Sequence, residues 1–290
     1  MQTIDLRELE KLNTLRLNIC RSMSQGEGLR RSSAKGRSAE FSGYREYVPG
    51  DDMRYVDWNA YARFDKLYIK EFMEEKEGRV SIYLDTSKSM DFGEKLKSTL
   101  MAELTEAISY IASTSRDSVY VTDLSNPAST FKVPNGDQGV GNLKRWLEGI
   151  KPHSSLSLRD SLKRAVKGRG GVAFVISDFM DEGFLSAEDE ILRLFAYHGM
   201  QVNLLHVLSR EELEIEEDGA FQLIDSENEN KEVRLTLDRY SIRDYKKALK
   251  NYTRQINEKA KAVGAGYVLC STGERLHKLI FEDMRFMFEY

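Results

Sequence analysis

Cysteine is almost absent. Only Cys20 and Cys270 occur in 290 residues, and their separation leaves neither a disulfide framework nor a pair of zinc ligands. Both read as small apolar side chains buried in a reducing compartment. Proline is nearly as scarce: with four prolines, 41% hydrophobic and 31% charged residues, the composition excludes a disordered or fibrous chain and points to a helix-rich globular one. Long apolar runs are missing as well, and stretches such as VAFVI are far too short to span a bilayer. The opening MQTIDLRELEKLNTLRLNI scatters charges among its apolar positions and has no small-residue cleavage site, so it does not read as a signal peptide, and a cytoplasmic location is expected. A strong excess of one charge is also lacking. A net charge of -4 and a pI near 5.8 argue against a surface that is as a whole a footprint for nucleic acid, while leaving a local basic patch open.

What is present is a chain long enough for one large core with an appendage, without internal repeats. Ile4, Leu6, Leu9, Leu12, Leu15, Leu17 and Ile19 stand at roughly the spacing of an amphipathic helix over 4–24. The basic stretch QGEGLRRSSAKGRS then breaks it and reads as a surface loop with solvated charges. Residues 41–72, FSGYREYVPGDDMRYVDWNAYARFDKLYIKEF, are dense in aromatic and charged side chains. VPGDD inside it is a turn, with Asp51 or Asp52 available to cap the segment after it. From Arg79 apolar strands alternate with amphipathic helices: strands at 80–84, 118–124, 129–133, 171–177, 201–208 and 266–270, helices at 94–114, 139–149, 158–167, 186–198, 240–262 and 275–288. That rhythm predicts an α/β fold with a doubly wound, mostly parallel sheet covered on both faces. Residues 209–237 interrupt it with a hairpin around DSENENKE; ten acidic against three basic residues make this a solvated insertion. The expected organisation is an N-terminal helix and irregular module over 1–78 and the α/β domain over 79–290.

Open parallel sheets bind ligands beyond the carboxyl ends of their strands, where the strand order reverses. VSIYL runs into Asp85 and GVAFVIS into Asp178, so if these two strands are neighbours both carboxylates face one crevice. In DTSKSM, alternate residues of an extended turn point the same way, and Asp85, Ser87 and Ser89 can converge. Magnesium takes about six oxygens and keeps several waters, so two carboxylates and two hydroxyls leave room for water and one outside ligand. The same residues also suit a plain helix cap, and alternating serines are common in loops.

Other chemistries fit less well. An aspartyl phosphatase of the haloacid dehalogenase type needs a second acid two residues after the first, where this chain has Ser87. DTSKSMDFGEK carries neither dinucleotide nor P-loop glycines. His153, His198, His206 and His277 show no ligand spacing, with His206 expected as a hydrogen-bonded core residue, and no Gly-x-Ser-x-Gly elbow occurs. Tyr44, Arg45, Tyr47, Arg54, Tyr55, Trp58, Tyr61 and Arg63 could grip phosphates and stack bases. Asp51, Asp52, Asp57 and Asp65 lie among them, and Arg–Asp pairs that hold the module together are the more economical reading.

DTSKSM resembles the Asp-x-Ser-x-Ser metal-ion-dependent adhesion motif of the von Willebrand factor A domain, and ISDF at 176–179 its later aspartate motif. The segment EFSGYREYVPGDDMRYVDWNAYARFDKLYIKEF resembles the hallmark of the bacterial family called domain of unknown function fifty-eight, often encoded beside MoxR-type AAA+ ATPases. The likeness runs from about Gly36 to Tyr290. It implies a von Willebrand factor A-like, Rossmann-like three-layer domain with Mg2+ (Mn2+ or Ca2+ as alternatives) held by Asp85, Ser87 and Ser89, and by Asp178 directly or through water. The family pattern adds a threonine where HSSLSLRDSL has Leu156, with Ser155 or Ser157 as the hydroxyls that could replace it. The implied function is a non-enzymatic interaction protein whose metal accepts an acidic side chain from a partner, a MoxR-type ATPase. The alternatives are a metal-dependent hydrolase or phosphatase using Asp85, and nucleic-acid binding through residues 41–72.

Overall fold

The structure is a computed structural model and describes residues 11–17, 40–73, 78–135, 138–150, 157–181, 184–215, 219–224, 232–237 and 239–289. Along the chain, β1 (Arg16–Leu17), β2 (Glu40–Glu46), α1 (Trp58–Phe64) and β3 (Tyr68–Met73) come first. They are followed by β4 (Arg79–Leu84), α2 (Lys97–Thr114), β5 (Ser118–Asp123), β6 (Thr130–Lys132), α3 (Gln138–Glu148), α4 (Leu158–Ala165), β7 (Val172–Ser177), α5 (Phe184–Tyr197) and β8 (Gln201–Leu208). The last third holds α6 (Arg210–Leu213), β9 (Gly219–Ile224), β10 (Glu232–Leu237), α7 (Arg239–Ala262), β11 (Gly266–Ser271), α8 (Leu276–Lys278) and β12 (Phe288–Glu289). No described helix is long and apolar enough to cross a membrane.

Six strands form one sheet in the order β11-β8-β7-β4-β5-β6, parallel throughout except for β6, which runs antiparallel to β5. The fold is therefore the expected doubly wound α/β arrangement. Side chains alternate across a strand, and that period of two divides the core into two layers. Val80, Ile82 and Leu84 of β4 and Val172, Phe174 and Ile176 of β7 face a cluster that includes Leu100, Leu104 and Ile108 of α2 and Leu143 and Leu147 of α3. Tyr83, Ala173 and Val175 point the other way, to Leu162 of α4, Ile191 and Phe195 of α5 and Ile256 of α7. Both faces are buried, which is why these strands read as continuous apolar runs. Gly171, which leads into β7, has φ +85° and runs so close to β4 that an added Cβ would lie 2.0 Å from the Arg79 carbonyl oxygen.

Among the described residues, two expected helices are not formed as expected. Within the expected helix over 4–24, the described residues 11–17 form a 3-10 turn (Lys11–Thr14) and then β1, which pairs antiparallel with β12. Leu12, Leu15 and Leu17 are buried, but Leu15 and Leu17 lie two apart around the exposed Arg16, which is strand spacing. The rest of that segment, the basic stretch after it and Cys20 lie outside the described residues. The expected helix at 275–288 breaks into α8, a π turn (Leu279–Asp283), a 3-10 turn (Arg285–Met287) and β12. Its buried Leu279, Ile280, Met284 and Met287 have spacings that a helix would share, so periodicity alone could not separate the two.

The described residues fall into two compact units, one of residues 11–17 with those from Gly78 onward, the other of residues 40–73. In the smaller unit β2 and β3 form an antiparallel pair with a bulge between Phe41 and Gly43. Its polar residues close on one another: Arg45 grips Asp51 with two hydrogen bonds at 2.6 and 2.8 Å, and Arg54 holds Asp52. Asp57 caps α1, accepts the Tyr44 hydroxyl at 2.9 Å and lies 3.3 Å from Lys70 Nζ. Arg45–Asp51 and Arg54–Asp52 are the expected Arg–Asp pairs, whereas Asp57 is held by Tyr44 and Lys70. The insertion contains the expected hairpin, β9 with β10, while its turn, 225–231, lies outside the described residues.

Candidate metal centre

The strand order reverses at β4, because the chain leaves it for β5 on one side and returns to β7 on the other. Beyond the carboxyl ends of β4 and β7 lie Asp85 and Asp178, adjacent as expected. The backbone N–H of Asp85 donates to the Ile176 carbonyl at 2.9 Å, extending the ladder one residue past β4 and fixing the root of the loop. One oxygen of Asp85, Oδ1, accepts the Ser87 N–H at 3.0 Å, and Oδ2 accepts the Ser177 hydroxyl at 2.5 Å. The Ser87 and Ser89 hydroxyls are hydrogen-bonded to each other at 2.9 Å, which brings these two alternate side chains together.

The β7 end is held in an uncommon conformation. Phe179 has φ 51°, the left-handed region that costs a bulky residue about 1 kcal/mol or more. Several contacts impose it: Ser177 Oγ accepts the Phe179 N–H at 2.9 Å, the Tyr252 hydroxyl of α7 donates to the Phe179 carbonyl, and the ring packs against Phe184 and His206. The turn directs Asp178 inward, where Oδ1 accepts the Met180 N–H at 3.1 Å and Oδ2 accepts Lys97 Nζ at 2.7 Å.

Lys97, the first residue of α2, has 1% of its side chain exposed, and its ammonium also donates to Glu212 Oε1 at 2.8 Å. Glu212 is placed by a capping box in which its other oxygen accepts the Ser209 N–H at 2.7 Å and Ser209 Oγ accepts the Glu212 N–H at 3.1 Å. Burial would push the Lys97 ammonium down, but Asp178 and Glu212 outweigh it and hold its pKa above the usual value. Asp85 has no such partner. Burial, and then the charge of Asp178, push its carboxyl up to about 6 against the hydrogen bonds from Ser177 and Ser87. Asp85, Asp178 and Glu212 against Lys97 leave a formal excess of two negative charges.

This set fits a divalent cation. The Ser87 and Ser89 hydroxyls are hydrogen-bonded to each other at 2.9 Å, and because oxygens held 2.0–2.1 Å from a small hard cation at right angles lie about as far apart, an ion would replace that bond without separating them. One divalent ion would offset the excess charge, and the donors are oxygens throughout, as magnesium, manganese or calcium require. The described residues contain no group of three or more His, Cys, Asp or Glu side chains placed for a metal, so a site here depends on hydroxyls. Among the further candidates, Ser157 caps α4 by accepting the Asp160 N–H at 3.3 Å, and the backbone N–H of its neighbour Leu158 donates to Asp181 at 2.8 Å, which ties the start of α4 to the β7 end. Ser155 and Leu156 lie outside the described residues. His206 is the expected core residue: it is fully buried, its Nδ1 lies 2.9 Å from the Tyr267 hydroxyl, and burial lowers its pKa to about 4.

Three groups escaped the sequence reading. Lys97 sits in an expected amphipathic helix, Glu212 in the acidic insertion expected to be solvated, and Ser177 looks like the end of an apolar strand. Beside them Asp123, at the end of β5, accepts the Thr86 hydroxyl at 2.6 Å and Ser125 Oγ at 2.8 Å, which steadies the loop from the other side.

Over 203 residues the chain is 27% identical to an uncharacterised protein of Mycobacterium bovis, a match that covers 67% of this chain and 62% of that one. Uncharacterised proteins of two Mycobacterium tuberculosis strains match at the same identity and coverage. The matched part of the chain thus spans less than two thirds of these relatives' length. The model of the family described as "Protein of unknown function DUF58" matches residues 43–255, and the chain belongs to that family.

Proposed function

We propose that this chain is a non-enzymatic interaction protein of the cytoplasm that binds a divalent cation, magnesium first, at Asp85, Ser87 and Ser89, and offers it to an acidic side chain of a partner protein. The observation that carries this reading is the 2.9 Å pair of Ser87 and Ser89 hydroxyls beside a carboxylate whose charge is poorly compensated. Asp178 is engaged by Lys97 and would act on the cation as the second carboxylate, through water in this reading. A bound cation would supply an open coordination position for an outside carboxylate. Binding is favoured over catalysis because His206, the histidine against this region, is buried and engaged with Tyr267 rather than presented to the crevice. Because the family this chain resembles is often encoded beside MoxR-type AAA+ ATPases, such an ATPase is the proposed partner, in the assembly or maturation of protein complexes.

Calorimetric titration of MgCl2 into the full chain is expected to show saturable binding that Asp85→Ala abolishes while the circular dichroism spectrum is unchanged. Co-purification with a MoxR-type ATPase should then be lost both on chelation and in Asp85→Ala. A flat titration of the wild type refutes the reading. The raised Asp85 carboxyl favours one second reading, a hydrolase that uses Asp85 as an acid. Turnover of a generic phosphomonoester that disappears in Asp85→Asn would establish it in place of the first.

A further inference from the structure

The buried Lys97–Asp178–Glu212 triad spans three separate parts of the chain: the start of α2, the residue after β7 and the capping box that opens the insertion. Taking an ammonium out of water is costly, and one that lacked partners would not stay charged. Here it faces two carboxylates at 2.7 and 2.8 Å, so it is a permanent positive charge built beside the crevice. Its contact with Asp178 matters most. A carboxylate oxygen that accepts an ammonium at this distance is drawn away from a second cation, while Asp85 keeps only hydroxyl and backbone donors.

We propose that Lys97 is the positioning residue that sets the affinity of this centre for divalent cations: its ammonium holds Asp178 out of direct coordination and, with Glu212 as counter-charge, fixes the negative charge left for the ion. The proposal rests on the metal-binding reading above and adds to it a residue and a sign. Removing the ammonium frees Asp178 and removes a repulsive charge next to the ion, so affinity rises. Removing the Glu212 charge leaves the repulsion less compensated, so affinity falls. A purely structural role for the triad would not produce opposite signs.

The test is calorimetric titration of MgCl2 into the full-length wild type, Lys97→Met, Lys97→Arg and Glu212→Gln. Lys97→Met is expected to bind about tenfold tighter or more, since a unit charge within several ångströms of a divalent ion is worth at least that much at the dielectric of a protein surface. Lys97→Arg keeps the charge and is expected to stay within about threefold of the wild type, and Glu212→Gln to bind about threefold weaker or worse. Gln offers one acceptor oxygen for the two donors that Glu212 serves, the Ser209 N–H and the Lys97 ammonium, so each variant is first checked for an unchanged circular dichroism spectrum, and a folded Glu212→Gln decides the matter if Lys97→Met does not fold. A wild type that binds while Glu212→Gln binds equally well or better overturns the proposal, as does a folded Lys97→Met that binds no tighter. A wild type that binds no divalent ion refutes the metal-binding reading itself.

Discussion

Asp85→Asn is expected to make the metal-free protein more stable. Burial and Asp178 raise the Asp85 carboxyl from 3.8 to about 6, so near neutral pH the folded protein carries a charge that its surroundings oppose. At about 1.4 kcal/mol per pH unit that opposition costs about 3 kcal/mol, and the exposed part of the residue reduces the figure to about 2 kcal/mol. Asparagine brings one acceptor oxygen where aspartate has two, so either Ser177 or the Ser87 N–H loses its partner, at about 1 kcal/mol. The remainder is a net gain of about 1 kcal/mol, or a rise of about 2–4 °C in melting temperature.

The sign has a pH signature. A carboxyl with a raised folded-state pKa penalises the fold fully above about pH 6, and the penalty vanishes as the pH falls below 3.8, where both states are protonated. The advantage of Asp85→Asn should therefore shrink between these limits and be gone at the lower one. Urea denaturation in EDTA, near neutral pH and near pH 4, measures it. Saturating MgCl2 should reverse the order near neutral pH, because only the wild type gains stability from the bound ion. A variant less stable than the wild type in EDTA near neutral pH would refute this account of the charge at Asp85.

Gly171→Ala should destabilise by several kcal/mol, since the new Cβ would meet the Arg79 carbonyl at 2.0 Å in a backbone conformation that disfavours alanine; loss of soluble yield or of a cooperative thermal transition checks it. His206, lowered from 6.5 to about 4, contributes stability that is fully present above pH 6.5 and is lost as the pH falls through 4. The Asp85 contribution runs the opposite way over much of this range, so the measurement belongs in the Asp85→Asn background. There, His206→Gln should flatten the acid side of the stability profile, and an unchanged slope would show that His206 does not titrate on unfolding.

The sheet was legible because strands buried on both faces have to be short, apolar and bounded by helices. β8 begins and ends where its apolar run does, and β4 and β7 lie within one residue of theirs. The N- and C-terminal segments were not legible, because what makes β1 and β12 strands is their pairing with each other across almost the whole chain, and no local pattern records that. Asp85, Ser87, Ser89 and Asp178 stood out for a local reason, as polar residues where an apolar run stops. Lys97 and Glu212 did not, because their partners lie 81 and 115 residues away along the chain.

The distribution of costly features argues for where the function sits. A buried ammonium held by two acids, a carboxyl raised to about 6 and a phenylalanine at φ 51° all fall within the residues just after β4 and β7 or touch them. A fold selected for stability alone would do better with apolar side chains at Lys97 and Asp178, since replacing a buried ion pair by packed hydrocarbon is often neutral or stabilising. At the opposite end of the same two strands Gly171 meets Arg79 in backbone packing, Arg79 lies 3.9 Å over the Tyr120 ring, and the buried Asp117 accepts the Gly78 N–H at 2.8 Å. Charge is buried at both ends, but an ammonium between two carboxylates lies at the end where the strand order reverses and a ligand can enter. Lys97 matters in this respect because, without its ammonium, Asp178 and Glu212 would be left as buried or half-buried carboxylates with no cation beside them, which favours protonation.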